Sequence, residues 1–273
     1  MAIEDFEIIV VDNGSTDATE RVVCELSTIV PNLRYVRCPE AGLSSARNCG
    51  LKQAAAPVVA FLDDDAIADA GWLTAIVDGF GIEPRPVAVG GPVAPWWEVP
   101  KPGWFPDSLI GCHNRNYGPV PRWYRYPAEA PIGCNMALQK HLALEAGGFN
   151  SQFHNYNDET ELISRLVQGG GRLFYQPRAT VRHFFAKERL NLLWQIRRHY
   201  EEGKSIAGMA ALSRHASRFR RLGLVGHNFL SIARRSARVF VSRGPVRDRV
   251  ERLTDLFALF GQTVYLAKSL AKK

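Results

Sequence analysis

The run PVVAFLDDD constrains the fold of this chain more than any other feature of the sequence. Its apolar half predicts a short buried strand, and three carboxylates follow with no neutralising residue between them. Alternate side chains of extended backbone point the same way, so we expect Asp63 and Asp65 to face one point while Asp64 turns aside. Ligands collect at the carboxyl ends of strands in open α/β sheets. The run therefore predicts an α/β protein with a site at the end of this strand.

Asp63 and Asp65 would suit a divalent cation. Mg²⁺ or Mn²⁺ takes one or two carboxylates and fills its remaining positions with phosphate and water. The alternative is an acidic strand-to-helix turn in which an aspartate caps the helix. The triplet by itself leaves both interpretations open.

A second strand is predicted upstream at residues 8–11, and it ends at Asp12. We expect Asp12 to lie at the same edge of the sheet as the aspartate triplet. Between the two strands lies AGLSSARNCGLKQAAA, a helix-like stretch whose first cation is Arg47. An acidic residue and a cation are thus expected near the same end of the fold.

Three motifs in this order resemble the nucleotide-binding half of a family 2 glycosyltransferase with the GT-A fold. That family carries Asp-x-x-Ser-x-Asp after a strand, then Gly-x-x-x-Ala-Arg-Asn-x-Gly, then Asp-x-Asp. The matching residues are Asp12, Ser15 and Asp17, then Gly42, Ala46, Arg47, Asn48 and Gly50, then Asp63, Asp64 and Asp65. The resemblance implies a Rossmann-like α/β sheet flanked by helices, which binds a nucleotide-diphosphate sugar.

The resemblance continues to about residue 185. APIGCNMALQKHLALEAGGFN is similar to the family's Gly-x-Asn-Met segment, which contributes Asn135 here. NDETELISRLVQGGGRL resembles the helix that carries the catalytic acid pair, written Glu-Asp in the family and Asp158-Glu159 here. Alignment on the following Thr-Glu-Leu gives Glu159 the role of the base. His183, which closes YQPRATVRH, is implied as a metal or diphosphate ligand.

The resemblance also implies what each donor-site residue would do. Asp12 would accept a hydrogen bond from the base, and Arg47 would offer a cation to the base or phosphate region. A Mn²⁺ or Mg²⁺ ion held by the outer two aspartates of the triplet and His183 would bridge the diphosphate. The residues implied to bind the nucleotide sugar are Asp12, Ser15, Arg47, Asp64 and Asn135.

The chain departs from the family's pattern at its beginning. The family opens with an apolar strand ending in Pro-x-Tyr-Asn-Arg and a helix, and no residues before the strand at 8–11 match them. A truncated or mis-started reading frame, a partner that supplies this wall of the pocket, or a degraded enzyme would each explain the difference. Because the later motifs are intact, we expect the first explanation.

The segment from Gly91 to Pro131 is rich in proline and aromatic residues and is too long for an ordinary connection. Its aromatic side chains either staple an irregular loop to the body or offer flat faces to sugar rings or lipid tails. As a set they predict an acceptor wall, for which we single out Trp96, Trp97 and Trp104.

Charge is divided unevenly along the chain. Residues 182–273 hold 20 of the 34 Lys and Arg but 6 of the 27 Asp and Glu, a net charge of +14. After residue 218, leucine and phenylalanine interleave with arginine, the pattern of an amphipathic basic helix. This segment is interpreted either as a solvated basic face or as a surface for anionic lipid headgroups. Nucleic acid is not expected as a partner, because no nucleic-acid motif accompanies the arginines.

Composition fits a folded enzyme, since 46% of the 273 residues are hydrophobic and 22% are charged. The five cysteines are scattered without zinc spacing, which predicts reduced thiols. No signal peptide or transmembrane run is evident, so we expect a cytoplasmic protein, peripheral at the inner face of the membrane.

The sequence thus predicts a GT-A catalytic domain at residues 1–185 and a basic amphipathic helical segment at 186–273. Within the domain, residues 1–91 would bind the donor, 92–130 would form the acceptor-side loop, and 131–185 would carry the catalytic acids and closing strand. The predicted activity is inverting transfer of a sugar from a nucleotide-diphosphate donor to a glycan or lipid-linked acceptor in polysaccharide or cell-envelope biosynthesis. The alternative is a degraded GT-A-like module that binds a nucleotide or glycan.

Overall fold

The computed structural model describes residues 2–153, 157–212, 224, 227–228, 231–232 and 245–271. Among these residues the strands are β1 (Ile8–Asp12), β2 (Leu33–Arg37), β3 (Val58–Phe61), β4 (Ala66–Ala68), β5 (Ala88–Gly90), β6 (Val93–Trp97), β7 (Arg122–Trp123), β8 (Met136–Gln139), β9 (Leu173–Tyr175) and β10 (Val181–Phe185). The α-helices are α1 (Thr19–Ser27), α2 (Leu43–Gln53), α3 (Trp72–Phe80), α4 (Lys140–Glu145), α5 (Asp158–Gln168), α6 (Leu192–Leu212) and α7 (Val246–Ala271). Short 3₁₀ segments lie at Ile3–Asp5, Asp107–His113 and Lys187–Leu190.

The largest sheet has five strands in the order β3-β8-β5-β9-β7. Strands β5 and β9 run parallel, and the other neighbours are antiparallel. The three middle strands, with sequences MALQ, AVG and LFY, are buried along their whole length. Burial on both faces explains why these segments read as short, mainly apolar runs rather than as alternating ones. A second sheet has the order β4-β10-β6.

Strands β1 and β2 form a separate parallel pair, in which Asp12 lies opposite Arg37. Strand β3 instead pairs antiparallel with β8, with Val58 opposite Gln139. The prediction that Asp12 and the aspartate triplet follow strands of one sheet is therefore wrong in this respect. Each strand takes its hydrogen bonds from a different neighbour, which residue patterns within a single strand do not specify.

One compact unit comprises Met1–Ala94 and Asn114–His183. Its core includes Leu162, Ile163 and Leu166, which lie on one face of α5 and pack with residues of β8, β5 and β9. Burying each such side chain stabilises the fold by about 1.5–3 kcal/mol. This apolar face fixes the helix whose first turn carries the predicted catalytic acids.

The second compact unit comprises Pro95–His113 and Phe184–Lys273. Its core contains Phe105, Leu109, Ile110, Phe185, Leu190 and Val250. Helices α6 and α7 approach closely at Gly203 and Gly261. A Cβ atom at either glycine would collide with the backbone of the other helix, so only glycine allows this approach. The predicted C-terminal helices are confirmed as this pair, whereas most of the arginine-rich run after residue 218 lies outside the described residues.

No disulfide joins any of the five cysteines, which agrees with the prediction of thiols. None of the helices in the described part of the chain is both long and apolar enough to cross a bilayer.

Candidate active site

Asp63, Asp65 and His183 form a cluster with the donor atoms of a metal site. One ligand atom from each lies within 4.8 Å of those from the other two. The His183 Nε2 atom is 2.6 Å from Asp65 Oδ1 and 3.9 Å from Asp63 Oδ2. The pairing of β10 with β4 brings them together, because His183 lies opposite Ala66, the residue after Asp65.

The two carboxylates converge through a turn and not through an extended strand. Strand β3 ends at Phe61, and the amide of Ala66 donates to the carbonyl of Asp63 at 3.1 Å. Asp64 lies within this turn and is exposed, so it does turn aside as expected. The sequence predicted that Asp63 and Asp65 face one point, and they do, but through a turn and not through an extended strand. Both geometries separate Asp64 from its neighbours.

The cluster fits a divalent cation. Two carboxylates and an imidazole lie close together on one side of the first unit, and the aspartates are about one-third exposed. Like charges held this near one another repel, and a cation between them would remove that repulsion. Oxygen ligands from carboxylates suit Mn²⁺ or Mg²⁺, and phosphate and water would complete the coordination.

Arg47 lies beside this cluster and connects it to the predicted acid pair. Its Nη1 atom donates to both carboxylate oxygens of Asp158, at 2.8 and 2.9 Å. Its Nη2 atom donates to Asp63 Oδ1 at 3.3 Å, and Glu159 Oε2 lies 3.7 Å from Nη1. Burial opposes the charge of Arg47, but the three carboxylates more than offset it and hold its pKa above the ordinary value. The Arg47 side chain therefore stays positively charged beside these three carboxylates.

Glu159 and Asp158 occupy the first turn of α5 in different environments. Asp158 is 1% exposed and pairs with Arg47, whereas the Glu159 side chain is 19% exposed. Burial, supported by the neighbouring Asp158, raises the pKa of Glu159 to about 7 although Arg47 acts to lower it. A carboxylate that titrates near pH 7 is well suited to accept a proton.

The backbone before this turn adopts an unusual conformation. Asn157 precedes α5 with φ +64°, the one positive φ outside glycine among the described residues. Its Nδ2 atom is buried, and no described group accepts a hydrogen bond from it. Asparagine tolerates the left-handed region better than most residues, and the region bends the chain sharply into the helix. This bend leads directly into the first turn of α5, which carries the two acids.

Asp12 and Ser15 form a second group, at the end of β1. Asp12 accepts hydrogen bonds from the Tyr35 hydroxyl at 2.5 Å and from the Ser15 amide at 2.7 Å. These two bonds, the one from Tyr35 first, lower the pKa of Asp12 to about 2. Asp12 is thus a fixed, ionised acceptor. Tyr35 was not predicted as a site residue, because only the register of β2 beside β1 brings it there.

Asn135 has a structural part in this unit. Its Nδ2 atom donates to the carbonyls of Pro92 and Ala179, and its Oδ1 atom accepts from the Trp72 indole. The side chain is 1% exposed. These bonds join three segments of the unit and occupy both donors of the amide, so binding to the donor sugar stays a prediction for this residue.

The three tryptophans predicted for the acceptor side belong to the second unit. Trp97 and Trp104 pack against its core, with Trp97 4.6 Å from the ring of Phe185. Trp96 is 46% exposed and meets Phe184 edge to face. The stapling interpretation therefore describes Trp97 and Trp104, while Trp96 keeps a free surface that suits a sugar ring.

Comparisons with known proteins identify a family model and several relatives. The family model Glycosyl transferase family 2 matches residues 2–128. The chain is 29% identical over 224 residues to a glucosyl-dolichyl phosphate glucuronosyltransferase of Haloferax volcanii, covering 78% of this chain and 70% of that one. It is 26% identical over 214 residues to the succinoglycan biosynthesis protein ExoM of Rhizobium meliloti, covering 77% and 67%.

A solved structure shows the same fold. The mannosyltransferase PcManGT of Pyrobaculum calidifontis, in complex with GDP-Man and Mn²⁺, superposes with a TM-score of 0.63 at 18% identity. The match covers 100% of this chain and 80% of that one.

The fold, the acid cluster and these matches define a glycosyltransferase with a GT-A-like fold. Residues 2–128 carry a domain of the glycosyl transferase family 2 type, and the chain transfers a sugar from a nucleotide-sugar donor.

Proposed function

We propose that this chain is an inverting glycosyltransferase that uses a divalent cation and acts on the hydroxyl of a glycan or a lipid-linked sugar. The observation that supports this most directly is the single cluster in which Arg47 joins Asp63, of the candidate metal site, to Asp158 and Glu159. A metal site and a base in one cluster are what sugar transfer from a diphosphate requires, since a leaving group must be stabilised on one side of the anomeric carbon and a nucleophile activated on the other.

Asp63, Asp65 and His183 would hold the cation, which would supply positive charge to the diphosphate. Glu159 would take the proton from the acceptor hydroxyl as its oxygen attacks the anomeric carbon. The bond from that carbon to the diphosphate oxygen breaks as the new bond forms on the opposite face. One displacement inverts the configuration, through an oxocarbenium-like transition state related to that of glycosidases. Asp12, ionised and fixed, would accept a hydrogen bond from the base of the nucleotide.

A donor screen tests this proposal. The purified chain is titrated with a panel of nucleotide-diphosphate sugars, with Mn²⁺ or with EDTA, and binding is measured by calorimetry. A glucuronosyl donor and GDP-mannose come first, because the relatives above act on or hold these sugars. We expect one donor to bind tightly with Mn²⁺ and to be slowly hydrolysed without an acceptor, giving a product of inverted anomeric configuration. Binding without any turnover would favour the alternative of a degraded binding module.

A lipid-linked acceptor in glycan biosynthesis is favoured by the names of two relatives, one of which acts on a dolichyl phosphate and the other in succinoglycan biosynthesis. We propose further that the basic part of the chain, residues 182–273 with a net charge of +14, holds the protein at an anionic membrane surface. Each Lys or Arg near such a surface contributes about 1 kcal/mol.

Vesicle sedimentation tests the membrane proposal. We expect binding to vesicles that contain phosphatidylserine, and loss of binding as salt shortens the Debye length from about 10 Å at 0.1 M to about 3 Å at 1 M. Replacing Arg234, Arg235 and Arg238 by Gln should weaken binding. A matched triple replacement of Arg21, Arg34 and Arg122, which lie in the first unit, should not. Equal binding to neutral and anionic vesicles would contradict the proposal.

A further inference from the structure

The guanidinium of Arg47 is shared between two functional groups of the site. One terminal nitrogen bonds Asp158 and lies 3.7 Å from Glu159, and the other bonds Asp63. Asp63 belongs to the candidate metal cluster, whereas the other two acids form the predicted catalytic pair. One buried cation therefore contacts both halves of the proposed reaction.

The surroundings of Arg47 hold the guanidinium in this position. A Cβ atom on Gly133 would collide with it, so the guanidinium lies directly against the backbone there. The ring of Phe149 lies 5.8 Å away, and Arg47 is 7% exposed. The planar guanidinium fixes the directions of its N–H donors, whereas the ammonium of a lysine is a compact charge on a flexible stem. Because the guanidinium is packed against Gly133 and near Phe149, it has little room to move when the charge near one of its nitrogens changes. Such a change therefore alters the electrostatic interaction at the other nitrogen.

The positive charge of Arg47 has opposite effects at its two terminal nitrogens: it opposes cation binding at Asp63 and favours a negative charge on Glu159. A positive charge 3.3 Å from Asp63 Oδ1 competes with any cation for that oxygen. The same charge acts to lower the pKa of Glu159 and so favours its ionised form. A cation bound at Asp63 would take over that carboxylate and leave more of the Arg47 charge uncompensated towards Asp158 and Glu159.

We propose that Arg47 is a positioning residue that couples cation binding at Asp63 to the acid pair on α5, rather than a ligand of the donor phosphates. This coupling rests on the proposed function, since it gives the base its full charge when the cation and donor are in place. It is reciprocal, because a change at the acid pair must alter cation affinity by the same factor as the cation alters the acids.

Binding of Mn²⁺ alone tests the coupling without any turnover. Free Mn²⁺ is measured by electron paramagnetic resonance in the wild-type chain and in the Arg47→Met variant. We expect the variant to bind Mn²⁺ about 5-fold tighter or more, the lower end of typical coupling between sites. A ligand of the donor phosphates would behave differently, since its loss would weaken nucleotide-diphosphate binding and leave Mn²⁺ affinity unchanged.

Two further variants make the result interpretable. Removing one partner of a buried ion pair strongly destabilises a fold, whereas replacing both partners is often tolerated. The double variant Arg47→Met with Asp158→Leu therefore keeps a folded chain, and it should also bind Mn²⁺ more tightly than the wild type. The control is Arg122→Met, which breaks a pair with Glu129 and touches none of the site carboxylates. It should leave Mn²⁺ affinity unchanged.

The pH dependence of turnover gives a second readout that a purely structural role would not change. Two charged groups face Glu159: Arg47, which lies on α2, and Asp158, which lies on the same helix as Glu159. Loss of the Arg47 charge removes the group that lowers the pKa of Glu159, so the acidic limb of the kcat profile should move to higher pH in Arg47→Met. Unchanged Mn²⁺ affinity in both variants that carry Arg47→Met would overturn the coupling while the proposed function stands. Absence of Mn²⁺ binding by the wild type would overturn both.

Discussion

Replacing Glu159 by Gln is expected to lower kcat by about 10²–10⁴-fold, the range that general base catalysis contributes. The amide keeps the size of the side chain but cannot take a proton from the acceptor. Donor affinity should change little, because the predicted metal ligands and Asp12 are untouched. The two effects are separated by single-turnover rates and by calorimetric titration with the donor found in the screen.

The pH profile of the wild type provides the matching control. The pKa of Glu159 is raised to about 7, so the side chain is protonated below that pH and unable to act as a base. The kcat value should rise as pH increases through about 7 and then level off. The Gln variant should lose this limb. If Asp158→Asn in a folded chain removes the limb and Glu159→Gln does not, the roles within the pair are exchanged.

Local patterns in the sequence were sufficient for the elements that carry the site. The apolar run before Asp12 predicted β1 to within one residue, and the run before the aspartate triplet predicted β3 equally well. In both cases the signal is short, continuous and followed by charge, which leaves little choice of boundary. The acid pair at the start of α5 came from the resemblance to the family, and the apolar face of that helix then fixes its orientation.

The contacts of Arg47 could not be predicted in the same way. Its main partner, Asp158, lies 111 positions along the chain, and its packing against Gly133 depends on the backbone of a third segment. The sequence offered a cation for the base or phosphate region, and the structure places that cation among three carboxylates. The spacing of the motifs does not indicate which carboxylates a buried guanidinium will contact.

The register of paired strands was the second limit. Tyr35 reaches Asp12 because β2 runs parallel beside β1, and His183 reaches Asp65 because it pairs opposite Ala66. Period-2 patterns define the faces of a strand but leave its partner open. The family resemblance supplied His183, whereas Tyr35 had no signal of its own.

Replacing Asp65 or His183 by Ala is expected to lower the affinity for Mn²⁺ by at least the roughly 10–100-fold that loss of even an outer-shell partner costs. Each residue contributes one of the three ligand atoms that converge within 4.8 Å. Mn²⁺-dependent binding of the nucleotide-sugar donor should fall with it, since the cation is proposed to carry the diphosphate. The fold should persist for Asp65→Ala, because this carboxylate is about one-third exposed and buries little apolar surface.

Asp64→Ala is the matched control, and it decides between a defined set of ligands and a general attraction of the cation to negative charge. Asp64 has the same charge and lies between both carboxylate ligands, but it is exposed in the turn and outside the cluster. Mn²⁺ alone should bind this variant as it binds the wild type, as measured by electron paramagnetic resonance. A loss as large as that of Asp65→Ala would show that net negative charge, and not a defined ligand set, attracts the cation. Affinities equal to that of the wild type in all three variants would contradict the proposed metal site, because Asp65 and His183 supply two of its three ligands.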